Sequence, residues 1–244
     1  MVSPISEPVF ACNGTCPICE GPRRFESRFS WLRDNFRCEG CQSLPRERAL
    51  MSVMAQAFPN WRDLAIHESS PGSALASKIW RECSGYTPSA YDLSTPFGSV
   101  NPKTGCRTED LERQTFANES FDLVITQDVF EHLFDPWAAA REIARTLKPG
   151  GAHIFTVPIV RKWEPTRLRA ERVGDGVIHI LEPEYHADPF NREAGALVTI
   201  DWGYDIAASL DRVSGMQTII IQIDDLSLGI RAEFIEVLLS RKPF

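Results

Sequence analysis

The 244-residue sequence contains no apolar run near the roughly 18 residues that a membrane-spanning helix requires. It also lacks internal repeats and low-complexity tracts. Its 15 glycines and 17 prolines are nowhere clustered, which excludes collagen-like and linker-like chains. The first ten residues have neither a basic start nor an apolar stretch, so the sequence predicts a soluble, cytoplasmic protein that makes no membrane contact. Lysine is missing from residues 1–60, where seven Arg face six acids for a charge of +1. The rest carries 19 basic and 27 acidic residues, −8, which brings the whole chain to −7. Nucleic-acid affinity rests on neutralising phosphates with basic residues, so this balance argues against a nucleic-acid partner. With 43% hydrophobic and 24% charged residues, the chain is long enough to bury a full core, as one large domain or one domain with a small appendage.

Seven cysteines is an odd number, and four of them form two C-x-x-C pairs, Cys16 with Cys19 and Cys38 with Cys41. Under reducing conditions two such knuckles close a tetrahedral zinc site, and four thiolates leave no open position, so the metal is structural. Cys12 has no knuckle partner, and Cys83 and Cys106 read as small core residues. The arginines around the pairs (Arg23, Arg24, Arg28, Arg33, Arg37, Arg46 and Arg48) either touch a phosphate or form a solvated charged face.

A helix over 44–58, with Ser43 as cap and Pro45 in its first turn, leads out of this zinc ribbon. The break at Pro59, Asn60 and Trp61 divides the chain into a zinc-binding segment, 1–60, and a larger domain, 61–244. Beyond the break, strands at 64–67, 86–91, 121–126 and 152–157 alternate with helices at 73–82 and after Asp135-Pro136. This rhythm implies right-handed crossovers and a parallel sheet covered on both faces. Residues 159–203 break it and read as an insertion over the sheet's carboxyl edge. A helix near 204–213 and strands at 216–223 and 234–240 follow, the last two as an antiparallel hairpin.

Ligands of open parallel sheets sit outside the carboxyl ends of the strands. The first strand-helix turn, 68–74, holds only Gly72, too few glycines to cradle a pyrophosphate. Glu68 at the strand end instead suits an ammonium group, Asp92 the hydroxyls of a ribose, and Asp110 an exocyclic amine. An amine, a ribose and an adenine together describe S-adenosylmethionine.

The stretch 109–158 resembles the core of class I S-adenosylmethionine-dependent methyltransferases of the type 11 kind. The likeness rests on Asp110 and Leu111 before the Phe121-Asp122-Leu123-Val124 strand, on Glu131-His132 after it, and on the Leu147 to Gly151 turn. The resemblance implies a Rossmann-like seven-stranded α/β sheet whose last strand is antiparallel. It also implies that Glu68 and Gly72 hold the methionine end, Asp92 the ribose, and Asp110 and Leu111 the adenine, with Gln127 and Asp128 lining the site. Ser70 and Ala74 stand where the family has glycines, so Ser70 belongs to the cofactor loop.

Methyl transfer requires alignment, exclusion of water and removal of the acceptor's proton. His132 and His186 are the candidate catalytic residues, each weighed against a packing or surface role. Glu182, His186, Asp188 and Asp201 together also suggest a divalent cation at the acceptor site, although their spacing follows no regular ligand pattern. The expected activity is O-methylation of a small hydroxylated acceptor such as a sugar or secondary metabolite. The alternatives are an RNA base methyltransferase using its finger on RNA, and a cofactor-binding regulator without turnover. For the finger three roles stand open: capping the active site, pairing two subunits as a homodimer, or meeting a partner.

Overall fold

A computed structural model describes residues 7–187 and 195–244. The N-terminal ribbon consists of β1 (Phe10–Cys16), β2 (Gly21–Ser27) and the short β3 (Arg37–Cys38), paired antiparallel in that order. Helix α1 (Pro45–Ala57) follows. Its N-cap is Leu44 rather than the expected Ser43, and no side chain caps it. Ser43 is instead engaged by the Cys41 thiol and by Arg48.

The sheet is built from β4 (Ile66–Ser69), β5 (Tyr86–Ala90), β6 (Arg107–Thr108), β7 (Phe121–Gln127) and β8 (Leu147–Thr156). Between them lie α2 (Ala74–Glu82), where Ser73 accepts the Ala76 N–H, and α3 (Pro136–Thr146), where Asp135 accepts the Ala138 N–H. Both caps satisfy an N–H that the first helical turn leaves orphaned. Among the described residues the insertion carries six short strands: β9 (Arg167–Leu168), β10 (Ala170–Val173), β11 (Gly176–His179), β12 (Tyr185–His186), β13 (Ala196–Leu197) and β14 (Ile200–Asp201). Helix α4 (Ile206–Ser214), β15 (Gln217–Ile221) and β16 (Val237–Arg241) end the chain.

The main sheet has seven strands in the order β15-β16-β8-β7-β4-β5-β6. Only β16, the last strand, runs antiparallel to its neighbours. Order reverses between β4 and β7, the crevice where such folds take ligands. Alternate residues of the central strands face opposite layers, as the two-residue strand period demands. Leu123, Ile125 and Ile154 join a core with α1 and the ribbon, whereas Val124 and Phe155 join one with α3 and α4.

The first core runs without a break from Cys16, Phe25 and Phe36 of the ribbon through Leu50 and Met54 of α1 to Ile154 and Leu239 of the sheet. Arg48 fastens the same junction: its fully buried guanidinium donates to the carbonyls of Ser43, Phe36 and Gly229. Gly229 has φ +67, and a Cβ there would lie 2.6 Å from the Phe25 ring, so only glycine permits this approach. No helix of the described residues is long and apolar enough to cross a membrane.

Candidate active site

Cys16, Cys19, Cys38 and Cys41 converge, with all four Sγ atoms within 4.8 Å of one another. The Cys16–Cys41 and Cys19–Cys38 sulfur separations are both 3.8 Å. Zinc–sulfur bonds of about 2.3 Å in a tetrahedron place sulfurs about 3.8 Å apart, so the donor set fits zinc. Cys12 lies outside the cluster and donates to the Leu226 carbonyl.

A cavity of about 1210 Å³ opens at the carboxyl ends of the strands. That exceeds the usual range for one small ligand and leaves room for two side by side. The β4–α2 turn contributes Ser69, Ser70, Gly72 and Ser73, the segment after β6 contributes Asp110 and Leu111, and the end of β7 contributes Gln127 and Asp128. Ser70 has φ +58, a conformation that costs an L-residue about 1–2 kcal/mol and explains why glycine is expected there.

Two expected cofactor residues do not reach the cavity wall. Glu68, fully buried, accepts from the Tyr86 hydroxyl at 2.6 Å and the Gln127 amide at 2.8 Å, and so sits behind the wall. Burial pushes its carboxyl up to about 7 despite those two donors. Its effect reaches the cavity through Gln127, whose amide also donates to Ser73 Oγ at 2.9 Å. Asp92 turns into its own loop, accepting from Ser94 N–H and Oγ, Thr95 Oγ1 and Asn101 Nδ2. The Ser94 and Asn101 hydrogen bonds hold its carboxyl down at about 2. Its neighbour Tyr91 occupies the wall instead.

Asp128 is tied to the ribbon. Arg33 Nη2 and Arg46 Nε lie 2.7 and 2.8 Å from its Oδ2, and Thr156 Oγ1 donates to Oδ1. These guanidiniums keep the buried carboxyl below its ordinary range. Arg33 and Arg46 themselves line the cavity with Trp31, so the ribbon forms part of its wall. Sequence reasoning offered phosphate contact or a solvated face for these arginines, and the structure shows a third use, internal counter-charge. The missed signal was seven arginines without a lysine: guanidinium suits buried carboxylate pairing better than ammonium does.

His132 and His186, about 50 residues apart in sequence, meet with ring centroids 5.1 Å apart, edge to face. Both line the cavity. Glu131 lies against both: its Oε1 is 3.8 Å from His132 Nε2 and 3.9 Å from His186 Nδ1. Burial pushes the Glu131 carboxyl well above its usual range, and the nearby Asp128 charge adds to this. Sequence reasoning gave His132 a candidate catalytic role but used Glu131 only as part of the family motif, because nothing local marks that side chain as buried.

Of the four-residue cation set suggested by the sequence, the three described members, Glu182, His186 and Asp201, form no common cluster of metal-ligating side chains. Asp201 is paired with Arg167 at 2.7 Å and Arg169 at 3.1 Å, which neutralises it. Among the described residues Glu182 joins no cluster of metal-ligating side chains, and Asp188 lies outside the described residues.

Strand order, the antiparallel last strand and a ligand crevice at the switch point define the Rossmann-like class I methyltransferase fold. Residues 70–155 match the family model described as "Methyltransferase domain", and the protein is an S-adenosylmethionine-dependent methyltransferase. Among solved structures, it is similar to an S-adenosylmethionine-dependent methyltransferase from Mesorhizobium loti. That likeness has 15% identity and a TM-score of 0.51, over 80% of this chain and 98% of that one. It is also similar to the 1,6-didemethyltoxoflavin-N1-methyltransferase of Burkholderia thailandensis, solved with 1,6-didemethyltoxoflavin and S-adenosylhomocysteine. Here identity is 14% and the TM-score 0.47, over 82% of this chain and 79% of that one. No curated protein matches the sequence.

Proposed function

We propose that the protein methylates a hydroxyl of a small acceptor held in the same cavity as S-adenosylmethionine, with the 159–203 insertion as acceptor wall. The carrying observation is the histidine pair, one from the main fold and one from the insertion, which face the cavity together. Bound S-adenosylmethionine supplies a methyl group activated by its sulfonium. The Ser69 to Ser73 turn at the N-terminus of α2 takes the methionine end, Asp110 the adenine amine, and Leu111 packs against the ring. Gln127, oriented by Glu68, and Tyr91 complete this half.

On the acceptor half, Trp31, Phe134 and Phe234 offer faces for a sugar or flat ring. His132 and His186 activate the acceptor oxygen. As the O–CH₃ bond forms, the C–S bond breaks with its electron pair staying on sulfur, and the hydroxyl proton leaves through this pair. The small-acceptor reading is favoured over RNA because Arg33, Arg46 and Arg48 are spent on internal partners. The residues 1–60 then act as a zinc-stabilised wall of the site and the residues 61–244 as the transferase.

The test is methyl-labelled cofactor offered to pools of hydroxylated metabolites and glycans, with product analysed for the labelled atom. Label on an oxygen is expected, and His186→Ala is expected to lower kcat by about 10²- to 10⁴-fold while S-adenosylhomocysteine affinity holds. Label found only on nitrogen or on RNA overturns the proposal.

A further inference from the structure

The same acceptor half contains a feature that acid–base work by imidazoles leaves unexplained. Glu131 is 2% exposed, and neither of its carboxylate oxygens accepts a hydrogen bond from the described residues. A buried carboxylate in that condition is costly unless a cation completes it. Its backbone is held firmly, since the Glu131 carbonyl accepts the Thr199 N–H at 2.8 Å and Thr199 Oγ1 at 3.1 Å.

We propose that Glu131, His132 and His186 bind a divalent first-row transition-metal ion at the acceptor end of the cavity. The proposal rests on the reading of that end as the acceptor half. Three geometric facts carry it. First, the nitrogen–oxygen separations of 3.8 and 3.9 Å are too long for hydrogen bonds, so neither imidazole satisfies the Glu131 carboxylate directly. Ligand bonds of about 2.1 Å to a shared ion place donor atoms about 3–3.5 Å apart, which small side-chain rotations reach from here. Second, His132 Nδ1 lies 2.9 Å from the Leu197 carbonyl, and a carbonyl only accepts. In the neutral ring the proton is therefore on Nδ1 and the lone pair on Nε2, the atom that faces Glu131. A second ring nitrogen donating to a backbone carbonyl is the usual support of a metal-bound histidine. Third, Glu184 Oε1 lies 3.6 Å from His186 Nε2, beyond hydrogen-bond length, so it places a negative charge beside that ring without tying up the Nδ1 that faces Glu131.

Two imidazoles and one carboxylate on one side of an ion leave its remaining positions open, here towards the cavity. That donor set suits iron, cobalt, nickel, zinc or manganese rather than calcium or magnesium. An acceptor hydroxyl in an open position would be acidified by the ion, so the histidine pair would activate the acceptor through the metal.

The test uses the full chain with its four-cysteine site loaded with zinc, titrated with Co²⁺ and followed by visible absorption and metal analysis. Expected is one further metal per chain, with weak d–d bands and no thiolate-to-cobalt charge-transfer band. Glu131→Gln, which preserves shape and removes the carboxylate ligand, and His186→Ala are each expected to weaken that second metal at least tenfold. The zinc and S-adenosylhomocysteine binding should remain. No second equivalent, or one that survives both substitutions, overturns the proposal. Loss of S-adenosylhomocysteine binding by the unsubstituted, doubly loaded protein would count against the cofactor reading instead, with the metal count standing independently.

Discussion

Asp128 is the point where the four-cysteine ribbon and the cavity at the strand ends share one electrostatic unit, and its removal gives the sharpest quantitative check. Asp128→Asn is the right perturbation because the residue has φ +52, which asparagine tolerates and alanine does not. The substitution leaves Arg33 and Arg46 facing each other with side chains only 11% and 18% exposed. Breaking a buried pair from one side costs about 3–5 kcal/mol. Asp34 also lies 2.9 Å from Arg46 and partly compensates it, which places the expectation at the lower end, about 3 kcal/mol. Arg33→Met with Arg46→Met should cost a similar amount, because Asp128 would keep only Thr156 as a partner. Combining all three removes every charge of the unit, and buried ion clusters replaced by uncharged groups are often nearly neutral. The triple variant should therefore be at least about 2 kcal/mol more stable than the sum of its parts predicts. Urea denaturation of zinc-saturated protein, read as midpoint and slope, measures each corner of the cycle. Strict additivity would refute the account of Asp128, Arg33 and Arg46 as one desolvated cluster.

Zinc removal should weaken S-adenosylhomocysteine binding at least tenfold and reversibly, since Arg33 and Arg46 lose their scaffold and release Asp128 beside Gln127; calorimetry showing unchanged affinity in the metal-free chain would contradict it. His67 and His153 are fully buried, with Ser89 and Thr126 as their partners, and burial lowers both imidazoles to about 3. Below about pH 6.5 the unfolded chain takes up protons that these rings refuse, so stability should fall steadily from pH 6.5 towards 3. His153→Gln should flatten that slope in thermal melts, and an unchanged slope would deny the ring its role. Ser70→Gly should relieve the left-handed backbone and raise stability by about 0.5–1 kcal/mol after the unfolded-state entropy is deducted, a gain that denaturant midpoints would detect.

The parts of the fold legible in the sequence are those whose signals are local. The Phe121–Gln127 strand, the Asp135-Pro136 helix start and the two cysteine knuckles each announce themselves within a few residues, and all are found where expected. Glu68 and Asp92 show the limit of such reading. Both stand at strand ends, but whether a carboxylate points into the cavity depends on nearby donors. Tyr86 captures Glu68 and Asn101 captures Asp92, the second from nine residues away. The Glu131, His132 and His186 cluster was half visible for the same reason. Its histidines are nameable one by one, but their meeting depends on how an aperiodic insertion folds back onto the β7–α3 segment.

That insertion and the ribbon solve one physical problem from two sides. An open sheet leaves its ligand crevice exposed to water, which weakens every electrostatic interaction within it. The ribbon alone is too small to hold a rigid wall through hydrophobic burial, and a metal held by its four cysteines would supply the rigidity. Arg33 and Arg46 then anchor that wall on Asp128, beside Gln127 in the cavity lining. For the other wall, Thr199 donates its N–H and its hydroxyl to the Glu131 carbonyl, and the Leu197 carbonyl accepts from the His132 ring, which pins the insertion to this segment. Each wall thus attaches to the segment directly after β7, so a disturbance of either reaches the residues that line the cavity.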